Sequence, residues 1–471
     1  MSNTPANDTI VAPATVPGTG AISIVRISGP DCFRYADAVV QLKSGSISEC
    51  AGYTIHYGDV PGLDDVLVSV FRAPHSYTGE DSVEISFHAS RYIAEELVRR
   101  LLEAGCRMAL PGEFTRRAFL NGKMDLAQAE AVADLISSTT AASHRVAYNQ
   151  LRGGFSTELA LLRSELVEMT SLLELELDFS EEEVEFADRE RLLALIDKTR
   201  SHVVALADTF KFGNAIRNGV PVAIVGATNV GKSTLLNALV GEDRALVSDI
   251  AGTTRDTVEE VINLDGIPFR FIDTAGIRET AETVEQMGIE RTFRKISEAE
   301  IVIGMLDVTA PATSIFDNLN LMVSKVDFGT QKLVLCLNKV DLEPENNVNK
   351  NVSAINNFVT SLGKEIVIVK LAAKHGLGLS ELRAALSGLE SHLIPNADST
   401  FVTNIRHYES LRQTADSLSA ARLALTSGTP SDLVAEDLRR AISSLNQILG
   451  TDLIDPESVL QNIFRNHCIG K

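Results

Sequence analysis

The rhythm of apolar and polar positions changes three times along the chain. Between residues 9 and 120, short β-type runs (Ile22–Ile27, Val66–Phe71, Val83–Phe87) mix with an amphipathic stretch, Tyr92–Leu102, a pattern that predicts a compact α/β domain. From about Leu126 to Lys211, Gly and Pro are scarce and Leu159, Leu162, Leu166, Met169 and Leu173 recur at helical spacing, which predicts long helices. At Pro221-Val222-Ala223-Ile224-Val225-Gly226 strands begin to alternate with helices, and they continue to about residue 394. Such alternation predicts a mostly parallel sheet. Beyond Pro395 the helical rhythm returns through Leu411, Leu418, Ala421 and Leu423, then Leu438, Ile442, Leu445 and Ile448. The second α/β segment therefore reads as an insertion in a helical domain, giving expected domains at 1–120, 121–215, 216–394 and 395–471. No internal repeat or low-complexity segment interrupts this order.

At 471 residues the chain exceeds what one core supports, in keeping with about three domains. Apolar residues make up 45% and charged residues 23%, the composition of an ordered, water-soluble protein. The N-terminus lacks a basic stretch followed by an apolar core, and no apolar run reaches the roughly 18 residues of a membrane span, so neither secretion nor membrane association is expected. Five scattered cysteines form no zinc or disulfide framework and suit a reducing cytosol, so a cytoplasmic location is expected. With 43 basic and 63 acidic side chains the formal charge is −20, which argues against a general nucleic-acid coat. The acidic stretch Glu174–Glu190 reads as a solvated helix face or turn rather than a metal site.

Gly226-Ala227-Thr228-Asn229-Val230-Gly231-Lys232-Ser233 matches G-x-x-x-x-G-K-[ST] between an apolar strand and the helix begun by Thr234. Its glycines let successive N–H groups face phosphate oxygens, Lys232 adds charge near the β/γ oxygens, and the Ser233 hydroxyl can ligate Mg²⁺. Asp273-Thr274-Ala275-Gly276 follows the strand Phe269–Ile272, where the carboxylate can hold a metal-bound water and the Gly276 N–H can meet the γ-phosphate. Upstream, Gly252-Thr253-Thr254-Arg255-Asp256 reads as a first switch whose Thr254 hydroxyl completes the metal shell. Asn338-Lys339-Val340-Asp341, after the strand Leu333–Leu337, supplies a carboxylate for guanine N1–H and N2–H; adenine lacks that donor pair. Ala372-Ala373-Lys374 is a degenerate last guanine-facing loop, with Ala373 its candidate contact. Ile277 stands where Ras-type switches keep a water-orienting glutamine. Hydrolysis is then organised by a nearby carboxylate, for which Glu285 is placed, or awaits an external activator; the residues alone leave both open.

These motifs sit beside Tyr77-Thr78-Gly79-Glu80-Asp81, the run Pro111–Glu130 (PGEFTRRAFLNGKMDLAQAE) and a terminal Cys468-Ile469-Gly470-Lys471. Together they resemble, over essentially the whole length, the MnmE (TrmE) family of bacterial and organellar tRNA-modification GTPases. The resemblance implies a multidomain fold: an N-terminal α/β folate-binding and dimerisation domain, a discontinuous α-helical domain and an inserted α/β P-loop (Ras-like) G domain. It implies a homodimer and an FAD-dependent partner, MnmG (GidA), in a heterotetramer. The pair would install an aminomethyl or carboxymethylaminomethyl group at C5 of the tRNA wobble uridine, with the one-carbon unit from 5,10-methylene- or 5-formyl-tetrahydrofolate. Carried over by motif, Arg26, Glu84, Lys123 and Lys471 would bind the folate, chemistry that suits a pterin's amide-like edge and glutamate tail. The resemblance also implies a potassium ion in place of an arginine finger, held by Asn229 with Ser248, Ile250 and Thr253. The nucleotide site would extend through Asp249, Ala251 and Gly252, and Glu285 would orient the attacking water. Arg278 is read as a support for the second switch, while Cys468 would be a catalytic thiol or a prop for the folate pocket. Gly470 and Lys471 do not suit a prenylation signal at that cysteine.

Two other readings share the central motifs. A ribosome-assembly switch of the Era or EngA type would carry a KH-like Gly-x-x-Gly loop on a basic face, which the sequence lacks. A folate-dependent aminomethyl transferase with a regulatory GTPase insert differs in which domain does the chemistry. The acidic balance adds an expectation of its own: tRNA should bind weakly to this chain alone, the partner carrying much of the basic surface.

Overall fold

The computed structural model describes residues 8–178, 189–244, 260–272, 296–389 and 400–451, with Phe464 and Gly470. They group into two compact units, one drawn from 1–137, 147–204 and 409–471, the other from 138–146 and 205–408.

In the first unit a seven-stranded sheet runs in the order β3-β4-β5-β6-β2-β1-β7. Its strands are β1 (Ile10–Pro13), β2 (Ile22–Ser28), β3 (Gln41–Leu42), β4 (Thr54–Val60), β5 (Asp64–Phe71), β6 (Ser82–His88) and β7 (Arg107–Met108). All neighbours are antiparallel except β1 and β7. Alternation decides which face is covered: Val66, Val68 and Val70 of β5 are buried under the helices Cys32–Val39 and Arg91–Ala104, while Leu67 between them is exposed. The β2–β6 register sets Arg26 directly across from Glu84.

The helical part of this unit includes Leu126–Ser137, Gly154–Asp178 and Ser431–Leu449. On Gly154–Asp178 the stripe Leu159, Leu162, Leu166, Met169 and Leu173 is buried, and that helix packs along Ser431–Leu449, whose Leu438, Leu445 and Ile448 are fully buried. Each fully buried leucine contributes roughly 1.5–3 kcal/mol. Arg163 Nε donates to Asn446 Oδ1 across this seam. Leu423 departs from the expected stripe: it is exposed, because it lies two residues past Ala421 and so off the face shared by Leu411, Leu418 and Ala421. Among the described residues no helix is long and apolar enough to cross a membrane.

The second unit is built on a six-stranded sheet, β13-β12-β11-β8-β10-β9. The strands are β8 (Val220–Gly226), β9 (Glu260–Leu264), β10 (Ile267–Phe271), β11 (Ile301–Asp307), β12 (Lys332–Asn338) and β13 (Ile366–Lys370). Every pairing is parallel except β9 with β10. β11 and β12 are continuous apolar runs because helices cover both faces of the sheet, and two cores, one on each side, result. The carboxyl ends of β8, β11 and β12 lie side by side, as Met305 pairs with Gly226 and Asp307 with Asn338. Such strand ends are where open parallel sheets bind ligands.

Candidate functional site

β8 ends at Gly226 and the chain turns through residues 227–231 into the helix Lys232–Arg244. Two glycines make that turn possible. Gly226 has φ +156, and a Cβ there would lie 2.6 Å from Met305 O; Gly231 has φ +106, and a Cβ would lie 2.4 Å from Asn338 Nδ2. Asn229, at φ +58, takes the left-handed conformation without being glycine, and it is exposed with Ala227 and Thr228 at the crest of the loop. Val230, by contrast, is 2% exposed and anchors the loop in the core. Lys232 Nζ donates to Gly226 O at 2.9 Å and Ala227 O at 2.8 Å, so its ammonium lies inside the curl of the loop. Ser233 is half-buried in the first helical turn and Thr234 is exposed. The N-terminus of a thirteen-residue helix, a lysine and a ring of turning N–H groups form an anion cradle.

Asn338 ties this cradle to the loop that holds Ala373. Its side chain donates from Nδ2 to Val230 O at 2.8 Å and accepts at Oδ1 from Ala373 N at 3.0 Å, while the residue is 4% exposed. One carboxamide thus fixes the 226–231 loop, the end of β12 and the 372–374 loop together. Lys339 follows at φ +67, with Nζ 2.6 Å from Asp307 Oδ2. Asp307 also accepts at Oδ1 from Thr309 N at 2.9 Å and Thr309 Oγ1 at 2.6 Å. Burial would raise this carboxyl, but the bonds from Lys339 and Thr309 outweigh it and hold it below the usual range. Asp341 is exposed, with His375 Nε2 3.5 Å from Oδ2. Asp307 and His375 carry no motif signature; only the register of β11 against β12 and the fold-back of the Ala372–Leu377 bridge bring them here.

A second cluster lies in the first unit. Arg26 donates to Glu84 Oε1 from Nε at 2.9 Å and from Nη2 at 2.8 Å, and its guanidinium lies 5.4 Å from the Tyr77 ring centre and 5.6 Å from that of Phe114. Nη1 reaches Gly470 O at 3.4 Å. Lys123 Nζ donates to Pro74 O at 3.1 Å. Behind these groups Arg117 donates to Asp8 Oδ1 at 2.6 Å, Glu113 Oε1 at 3.1 Å and Glu80 at 3.2 Å, while Ser28 Oγ donates to Glu80 Oε2 at 2.7 Å. The whole Tyr77–Asp81 segment is therefore tied both to β2 and to the helix Glu113–Leu120.

Of the other residues picked out by the sequence, Ser248, Asp249, Ile250, Ala251, Gly252, Thr253, Thr254, Asp273, Thr274, Ala275, Gly276, Ile277, Arg278, Glu285, Cys468 and Lys471 lie outside the described residues, as do 179–188 of the acidic stretch. Among the described residues no group of three or more His, Cys, Asp or Glu side chains could hold a metal.

Residues 9–123 match the family model described as GTP-binding protein TrmE N-terminus, and residues 126–468 match the MnmE helical domain. The chain is 49% identical to the tRNA modification GTPase MnmE of Bacteroides fragilis (strain YCH46), over 98% of this chain and 99% of that one. It is 46% identical to the protein of the same name from Parabacteroides distasonis, over 98% and 100%. A solved FeoB G-domain from Methanococcus jannaschii is 26% identical, covering 35% of this chain and 94% of that one, with a TM-score of 0.24.

Proposed function

The chain belongs to the MnmE family of tRNA modification GTPases, and from that premise we propose that it is a potassium-activated GTPase that works with an FAD-dependent partner of the MnmG type on the tRNA wobble uridine. It is a GTP hydrolase acting in tRNA modification, with an N-terminal TrmE domain, a helical domain and a P-loop G domain. Its domains are 1–120, 121–215 with 395–471, and 216–394, in a homodimer that takes up tRNA through the joint complex.

What supports the nucleotide chemistry is the 226–233 loop, whose floor is locked by Asn338 and whose crest exposes Asn229. Lys232 and the loop N–H groups bind the β/γ phosphates, and Asp341 accepts the two guanine donors. Ser233, with Thr254 and Asp273, is suited to magnesium; Asn229, with Ser248, Ile250 and Thr253, is suited to potassium, since all these donors are oxygens. The bound cations would supply charge that offsets what develops between the phosphates. Glu285 orients the attacking water, which accounts for Ile277 in place of a glutamine.

A tetrahydrofolate derivative fits the cluster of the first unit on chemical grounds. A guanidinium 5.4 and 5.6 Å from the ring centres of Tyr77 and Phe114 and bonded to one oxygen of Glu84 places a cation and two aromatic rings beside a carboxylate, while Lys123 and Lys471 suit an anionic tail. The cofactor supplies the one-carbon unit; Arg26 and Glu84 orient it, and Cys468 serves the same pocket.

The test is steady-state GTP hydrolysis in potassium and then in sodium at matched ionic strength, with Asn229→Ala beside the wild type. Potassium should accelerate turnover at least tenfold, on the scale of a single transition-state electrostatic contact, and the substitution should abolish the difference. Equal rates in the two salts would sink the potassium assignment.

A further inference from the structure

The guanine-reading segment is held by a group that lies outside its own motif. Asp307 is the last residue of β11, and the ladder places it opposite Asn338, one residue before Lys339. Lys339 occupies a left-handed backbone conformation that a β-carbon disfavours, and its ammonium lies 2.6 Å from Asp307 Oδ2. Both partners are largely covered, with side-chain exposures of 30% for Lys339 and 22% for Asp307. Asp307 cannot swing away, because its other oxygen is occupied by the backbone and hydroxyl of Thr309. Within the established GTPase activity, we infer that Asp307 is a positioning residue for guanine recognition: by fixing the Lys339 ammonium it sets the lysine's aliphatic stem as a preformed apolar ledge for the purine face.

The physical reason is preorganisation. A free lysine side chain samples many rotamers, and ordering it when nucleotide arrives subtracts from affinity. An ion pair made in the protein itself bears that ordering beforehand, while the methylene stem remains available to an aromatic surface. The ledge touches the plane of the base and not its edge, so it contributes to affinity for any purine nucleotide that enters. Choice of guanine stays with Asp341, whose carboxylate meets the edge donors.

A plain tie between β11 and β12 would behave differently, and a double-mutant cycle separates the two. In the full chain, Asp307→Asn, Lys339→Met and the double variant are compared for binding of N-methylanthraniloyl-GDP and for GTP turnover. Asp307→Asn should weaken binding roughly tenfold, mainly through faster dissociation, and raise the KM for GTP by a similar factor with kcat unchanged. The loss should be equal for GDP and IDP, which share the ring face but differ at the exocyclic amine. In the Lys339→Met background the same substitution should change affinity less than about twofold, because the group it acts through is gone. Should Asp307→Asn not fold, Asp307→Ser, which keeps a short acceptor for Thr309 without the charge, enters the same cycle. An affinity within twofold of wild type, or a full tenfold loss that persists in the Lys339→Met background, would overturn the assignment.

Discussion

Asn338 holds backbone of two other loops with one side chain. Both ends of its carboxamide are satisfied by main-chain groups of other loops while the residue is nearly inaccessible. Asn338→Ala leaves a buried carbonyl and a buried N–H unpaired, each costing about 1–3 kcal/mol. Urea unfolding followed through the G domain should therefore lose about 2–6 kcal/mol, and nucleotide affinity should fall with it. A loss under about 0.5 kcal/mol, the level of an ordinary surface change, would show that solvent satisfies those groups. The motif was legible in the sequence, but the brace was not: its partners Val230 and Ala373 lie 108 and 35 residues away. Asp307 was hidden for the same reason, since nothing in Leu-Asp-Val-Thr announces a lysine one strand over. His375 could have been noticed as a polar neighbour of the degenerate Ala372-Ala373-Lys374 loop.

At the scale of elements, legibility followed how cleanly burial matches periodicity. The apolar runs of β8 and β12, the alternating β5 and the leucine stripe of Gly154–Asp178 were all readable, because there one face or both faces are simply apolar. The helix Glu113–Leu120 was not, because it inverts the rule: Glu113 is 3% exposed and Arg117 6%, buried as an ion network. β1 and β7, of four and two residues, are too short for a period to show. The network makes a pH prediction. Burial alone would raise the Glu113 carboxyl, yet the bonds from Arg107 and Leu110 N and the nearby Arg117 charge set it below its ordinary 4.5, and Arg107 and Arg117 likewise hold Asp8 below 3.8. A carboxylate depressed in the folded state stabilises fully above its unfolded value and loses that contribution as pH falls through the folded one. Wild-type stability should hold from neutrality to about pH 5 and then decline below about 4.5, and Glu113→Gln should flatten that limb while lowering stability at pH 7. An acid limb unchanged by Glu113→Gln in a pH series of denaturation midpoints would remove Glu113 from this role.

For the molecule as a whole, the order of rhythms along the chain revealed α/β, helical and P-loop α/β parts, and a single unit gathers residues 1–137, 147–204 and 409–471 from the two ends of the sequence. Which strands pair in the N-terminal sheet was not readable, since an antiparallel order such as β5-β6-β2-β1 is set by long-range packing and not by local pattern. The charge of −20 bears on function at this scale. With that net negative charge opposing a polyanion, the isolated chain should bind tRNA no tighter than the micromolar range typical of non-specific contacts, with affinity rising when the partner joins. Nanomolar binding by the chain alone in about 150 mM salt would contradict that division of labour. If GTP turnover at the 226–233 loop serves wobble-uridine modification, the modified nucleosides of tRNA depend on it. Total tRNA from cells lacking this chain, complemented with wild type or with Lys232→Ala, is digested and its C5-aminomethyl and C5-carboxymethylaminomethyl uridines are quantified. These nucleosides should return with the wild type alone; their persistence in the deleted cells, or their full return with Lys232→Ala, would separate GTP turnover from the modification.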